Sequence, residues 1–125
     1  MKVKLTPKCK RILLHLDILE NARISEIIKR DMEEYQTFKL IETTKTFHDP
    51  QELELHWQNL IKTYWRGMFK LSKYGLVEKS DHKYKLSPKG RALVKLFHDH
   101  PLLLLKEVIE IKTKEGDDGC CLRLV

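Results

Sequence analysis

The chain has 125 residues, with 24 Lys and Arg against 18 Asp and Glu and a formal charge of +6. That length fits one domain with its own core and no second one. No run of about 18 apolar residues occurs, which excludes a membrane-spanning helix, and the leucines from Leu102 to Leu105 are far too few. Lys8, Lys10 and Arg11 interrupt any apolar stretch a secretory leader would need, so a cytoplasmic protein is expected. Cys9, Cys120 and Cys121 are an odd, lopsided set, expected to be free thiols in a reducing compartment.

In chain order, residues 1–6 read as extended or frayed. Thr6 followed by Pro7 is a helix start. Ile12, Leu13, Leu16 and Leu19 then form an apolar stripe, widened by Leu14 and Ile18, with Leu5 and Cys9 near the same side. Asn21 is expected to close this helix. Ala22 to Ile24 reads as a minimal strand, and Ser25 as the cap of a second helix with Ile27, Ile28 and Met32 inward. Beyond it, either a long connection spans 33–49 or the helix continues through Tyr35, Phe38 and Ile41 to about Leu40. Thr43, Thr44 and Thr46 mark a loop.

Asp49-Pro50-Gln51-Glu52 is a helix start with a cap, a proline and a glutamate in the first turn. Leu53, Trp57, Leu60, Tyr64, Met68 and Leu71 then recur at steps of three and four, a single core-facing stripe. A break is expected near Gln58 or Asn59, the one pair of adjacent side-chain amides. Gly75 follows as a helix stop. Leu76 to Lys79 and Lys83 to Leu86 read as two strands around the turn formers Ser80, Asp81 and His82. Ser87 and Pro88 start another helix, with Ala92, Leu93, Leu96 and Phe97 inward and an end at 98–100 before Pro101. Leu102, Leu105 and Val108 or Ile109 at helical spacing predict a further helix to Ile111. Gly116 to Gly119 reads as an acidic loop.

The charge is unevenly placed. Lys62, Arg66, Lys70, Lys73, Lys79, Lys83, Lys85, Lys89, Arg91 and Lys95 crowd one third of the chain, opposed there by Glu78 and Asp81 alone. Beyond His98 acids outnumber bases. A positive field of this kind points to a polyanion partner.

The run YGLVEKSDHKYKLSPKGRALV resembles the end of the recognition helix, the wing and the following helix of winged helix-turn-helix regulators. The closest style is that of the MarR and PadR repressors, whose wing ends in a Tyr-x-Leu-Thr-x-x-Gly-like run. Tyr84, Leu86, Ser87, Lys89 and Gly90 stand in that arrangement. The match covers roughly a sixth of the chain, and the 33–49 connection departs from the pattern. The resemblance implies a mainly α fold with a small β-hairpin wing, an enlarged connection before the recognition helix and an extra C-terminal helix. It implies that Ala22 to Ile24 completes the wing's sheet. It also implies a winged-helix domain at 1–98 and a dimerisation helix at 99–115, and the acidic, Gly-rich composition beyond them reads as a flexible tail at 116–125.

On this reading the chain binds double-stranded DNA as a homodimeric transcription regulator. Asn59, Lys62, Thr63, Arg66, Lys70 and Lys73 would point outward from the long helix into the major groove. Arg66 suits guanine, while Asn59 and Gln58 suit adenine. On the wing, Lys83 and Lys85 would meet phosphates or the minor groove, with Lys79 a further DNA-binding residue. Trp65 and Phe69 are expected to widen the core face against the second helix or the 33–49 segment, with stacking on a base or sugar as the alternative. The alternative is a winged-helix adaptor that docks proteins, its DNA face covered by the long connection. His98, Asp99 and His100 with Glu107 and Glu110 offer metal-binding types, but the spacing lacks a second cluster, and no metal or cofactor is expected. With no Gly-rich phosphate loop, no HExxH and no Gly-x-Ser-x-Gly, no enzyme is expected either.

Overall fold

Thr6 opens the first helix as its position before Pro7 predicts: its Oγ accepts the Cys9 N–H at 3.2 Å. In the computed structural model, which describes residues 2–33, 49–113 and 122–124, this helix is α1, Pro7–Leu19. Its face of Cys9, Ile12, Leu13 and Leu16 is fully buried, with Leu5 beside it. Ile18 does not widen that face. It is exposed, because one residue past Asp17 the helix has already turned to solvent. The helix stops at Leu19 rather than Asn21. Glu20 adopts φ 64° and ψ −53°, and the Asn21 N–H reaches the Leu19 carbonyl at 2.7 Å, a tight γ-turn.

The minimal strand reduces to one residue. Ala22 exchanges two backbone hydrogen bonds with Tyr84, at 2.9 and 2.7 Å. Helix α2, Ile24–Asp31, follows at once, capped at Arg23 rather than Ser25. The Glu26 carboxylate accepts the Arg23 N–H, so the glutamate in the first turn moves the start upstream. The expected course beyond Glu33, including Tyr35, Phe38 and Ile41, lies outside the described residues.

Helix α3 runs unbroken over Pro50–Lys73, so the expected break at Gln58 and Asn59 is absent. Both are good enough helix formers when solvated, and both are exposed. Asp49 caps it through the Gln51 N–H at 3.0 Å. Tyr64, Met68 and Leu71 are buried and Leu60 packs against them; the side chains of Leu53 and Trp57 lie outside the described set. At the exit, Gly75 takes φ 73° and the Leu76 N–H reaches back to the Leu71 carbonyl at 3.0 Å. Strands β2, Val77–Ser80, and β3, Lys83–Leu86, form an antiparallel hairpin whose turn residues Asp81 and His82 both have positive φ. With Ala22 on its far side, β3 lies between Ala22 and β2.

Helix α4, Pro88–Asp99, starts at Ser87. The Ser87 hydroxyl donates to the Gly75 carbonyl at 2.5 Å and accepts the Gly90 N–H at 3.0 Å. Gly90 sits where a Cβ would fall 2.0 Å from the Leu76 carbonyl oxygen, so only glycine admits this approach. Helix α1 touches α2, α3, α4 and β3 and forms the centre of the core.

The predicted C-terminal helix is absent. Pro101–Leu105 is a short 3-10 turn, and Val108–Thr113 is a strand, β4. It pairs antiparallel with β1, Lys2–Lys4, on one side and with β5, Leu122–Leu124, on the other. Val108, Ile109, Glu110 and Ile111 alternate between exposed and buried, the period of a strand, and the β-branched residues favour it. Val3 sits opposite Ile109, and both are buried. Buried Lys10 holds the turn, donating to the carbonyls of Leu104, at 2.9 Å, and Lys106. Burial lowers its pKa, against the raising effects of Glu107 and Cys9.

The result is a mainly helical protein with a small antiparallel hairpin and a second, three-stranded sheet at its ends. Among the described residues no helix is long and apolar enough to cross a membrane.

Candidate nucleic-acid interface

Helix α3 is fixed from beneath by one buried carboxylate. Asp31, at the end of α2, accepts from Arg11 Nε at 2.9 Å, from His15 Nε2 at 2.9 Å and from the Tyr64 hydroxyl at 2.6 Å. An acid in the last turn opposes the helix dipole. Here donors from α1 and α3 offset that, and the three helices meet on one residue. Burial pushes the Asp31 carboxyl upward, but the hydrogen bonds from His15, Tyr64 and Arg11 and the Arg11 charge outweigh it, leaving it below its usual value. Burial and the same carboxylate push the Tyr64 hydroxyl well above its ordinary value. At Gly67 the helices cross closely, with Ile12 Cδ1 3.2 Å and Cys9 Sγ 3.5 Å from where a Cβ would stand.

With Tyr64 inward, successive residues turn by about 100° each. Asn59, Lys62, Arg66 and Lys73 are exposed on the outer arc, as expected. Lys70 is half-buried at its edge. Thr63 is not on this arc. Its hydroxyl donates to the Leu60 carbonyl, a turn back on α3, at 2.6 Å and accepts from Lys8 on α1. Lys8 Nζ also stands 4.4 Å from the Tyr64 ring centroid.

The hairpin lysines divide between two faces. Lys79 is registered opposite Tyr84 and lies 5.7 Å from its ring, on the face that carries Val77 and Leu86 inward. Lys83 and Lys85 lie on the opposite face with Ser80 and Glu78. Lys85 sits 3.8 Å from the Glu78 carboxylate, a weak exposed pair. All three lysines are exposed.

The expected core packing of the aromatics against the second helix is not found, and the part of that expectation that falls on 34–48 lies outside the described residues. Trp65 is 47% exposed and Phe69 73% exposed. Trp65 does lean toward α2, but over an open cleft of about 500 Å³ that it lines with Ile24, Ile28, Met32 and Ile61. The helical period carried the signal, since Phe69 lies five residues from Tyr64 and so well over a quarter turn from the core. Sequence reasoning also missed the Asp31 cluster, although Arg11 and His15 stand one turn apart on α1.

Around the C-terminus of α4, His98 Nε2 lies 3.4 Å from an Asp17 carboxylate oxygen. Among the described residues no group of three or more His, Cys, Asp or Glu is arranged to hold a metal. Comparison of the chain with protein-family profiles, curated proteins and solved structures finds no match to any of them.

Proposed function

We propose that this chain binds double-stranded DNA as a winged helix-turn-helix regulator, with α3 as the reading helix and β2–β3 as the wing. One observation carries the reading: the outer arc of α3 presents Lys62, Arg66 and Lys73 to solvent with no acid between them. The order α1, Ala22, α2, α3, β2, β3, with β3 between Ala22 and β2, supports it as the order the resemblance implies. Arg66 is the residue for a guanine edge and Asn59 for adenine. Lys62, Lys73 and the wing lysines meet phosphates, which supply affinity without sequence information.

The regulator acts in the cytoplasm as a homodimer. With the terminal helix replaced by a strand, the surface for a second copy is Leu102, Leu105 and Val108, which are 74%, 81% and 48% exposed. A protein-docking adaptor is the second reading, favoured by the exposed Phe69 ring.

Anisotropy of a labelled duplex, titrated at rising salt, tests the proposal. Five phosphate contacts, from Lys62, Lys73 and the three wing lysines, give a log–log slope of about −4.5 and a loss of roughly 500-fold between about 50 and 200 mM salt. Absence of binding at low salt would favour the adaptor.

A further inference from the structure

Trp65 divides two clefts of different character. Toward α2 lies the mainly apolar cleft of about 500 Å³, walled by Ile24, Ile28, Met32 and Ile61, with Lys29 and Glu33 also lining it. Toward the hairpin lies a smaller cleft of about 190 Å³, lined by Arg23, Lys79 and His82 with the Tyr84 ring. One face of the surroundings is thus mainly apolar and the other cationic, and a half-exposed indole stands between them. A nucleotide has the complementary pair of features, a flat aromatic base joined to an anionic phosphate. The larger cleft is within the size range of small-ligand sites, roughly 300–1,000 Å³.

We propose that this cleft takes one unstacked nucleobase, lying against Trp65, with its phosphate toward Arg23 and Lys79. The proposal rests on the nucleic-acid reading above and deepens it. In a fully paired duplex every base is stacked within the helix and none can reach the cleft. Only a nucleotide that is unpaired, or has been drawn out of the stack, can fill it. Stacking on an indole tolerates any base, because each presents a π face. Phe69, one turn further along α3 and 73% exposed, continues the aromatic surface among Lys62, Arg66 and Lys73. Aromatic rings interleaved with cations on one face are what single-stranded nucleic acid uses, whereas a helix that reads only paired major-groove edges has no need of two exposed rings. The protein therefore prefers DNA containing unpaired bases to the same DNA fully paired.

The test uses the full chain and three labelled DNAs: a paired duplex, the same duplex with a short central bubble, and one of its strands. The bubble should bind roughly tenfold more tightly than the paired duplex. Trp65→Ala should lower bubble affinity by roughly 5- to 100-fold while changing paired-duplex affinity by less than about twofold. Trp65→Phe keeps a π face and should retain the preference, whereas Trp65→Leu keeps an apolar wall without one and should lose it. Circular dichroism of each variant confirms that the fold is intact. Equal binding of bubble and duplex by the wild type overturns the proposal and leaves the duplex-binding reading standing. So does an unchanged bubble preference in Trp65→Leu, which would show that an apolar wall rather than a π face sets it. Failure to bind any of the three removes both readings together.

Discussion

Replacing Asp31 by alanine is the sharpest perturbation of the scaffold beneath α3. The carboxylate is fully buried and accepts from Arg11 and His15 on α1 and Tyr64 on α3. Removing one partner of a buried charged cluster costs roughly 3–5 kcal/mol, because the others stay desolvated. A loss of about 4 kcal/mol in a chain of this length lowers Tm by roughly 15 °C. Urea unfolding followed by far-UV circular dichroism measures it. Tyr64→Phe alone should cost about 1 kcal/mol, and much less in the Asp31→Ala background, since the hydroxyl then has no carboxylate to lose. The pH dependence has a definite sign. A carboxyl held below its unfolded value contributes stability that is complete above that value and is lost as pH falls through the folded one. The wild type should therefore weaken progressively below pH 3.8, and Asp31→Asn should lack part of that acid limb. A loss under about 1 kcal/mol in Asp31→Ala, or an unchanged acid limb in Asp31→Asn, would refute the role given to this residue.

Three other outcomes follow from local geometry. Gly90→Ala places a methyl 2.0 Å from the Leu76 carbonyl oxygen, which is backbone and cannot yield, so thermal unfolding should show a loss of about 3 kcal/mol or more. Glu20→Gly relieves a strained γ-turn and should raise stability by about 1 kcal/mol in the same assay. Leu105→Glu puts a charge on the apolar patch offered to a second copy. Light scattering should find dimer for the wild type and monomer for the variant, and equal masses would remove Leu105 from any dimer contact.

The parts of the fold written by local rules were legible. Thr6, Asp49, Ser87 and the prolines behind them mark three helix starts, and all three side chains cap as expected. The run from Tyr84 to Gly90 was legible too, and the structure gives it a packing reason. Tyr84 and Leu86 fill the core, Ser87 ties α3's exit to α4, and Gly90 lets α4 approach. What failed was long-range. Leu102, Leu105 and Val108 fit a helical period by coincidence, while pairing with β1, about a hundred residues away in sequence, decided the matter. A contact of that kind leaves no local trace beyond the alternation of Val108 to Ile111. The site was half legible. Outward charges on α3 follow from its stripe, but the division of the hairpin lysines needed the register, and the aromatics needed the position of α2.

The central claim is that the outer arc of α3 is the nucleic-acid contact, and a charge-matched pair of variants tests it most directly. Arg66→Glu and Lys95→Glu alter the net charge by the same amount, both at exposed positions, one on α3 and the other on α4. Long-range attraction to DNA is reduced alike in both, so any difference reports contact. Duplex affinity at moderate salt should fall by tenfold or more in Arg66→Glu, corresponding to the roughly 1–3 kcal/mol of a base-edge contact, and by less than about threefold in Lys95→Glu. Equal losses in the two variants, or no loss in either, would contradict the assignment of α3 as the reading helix.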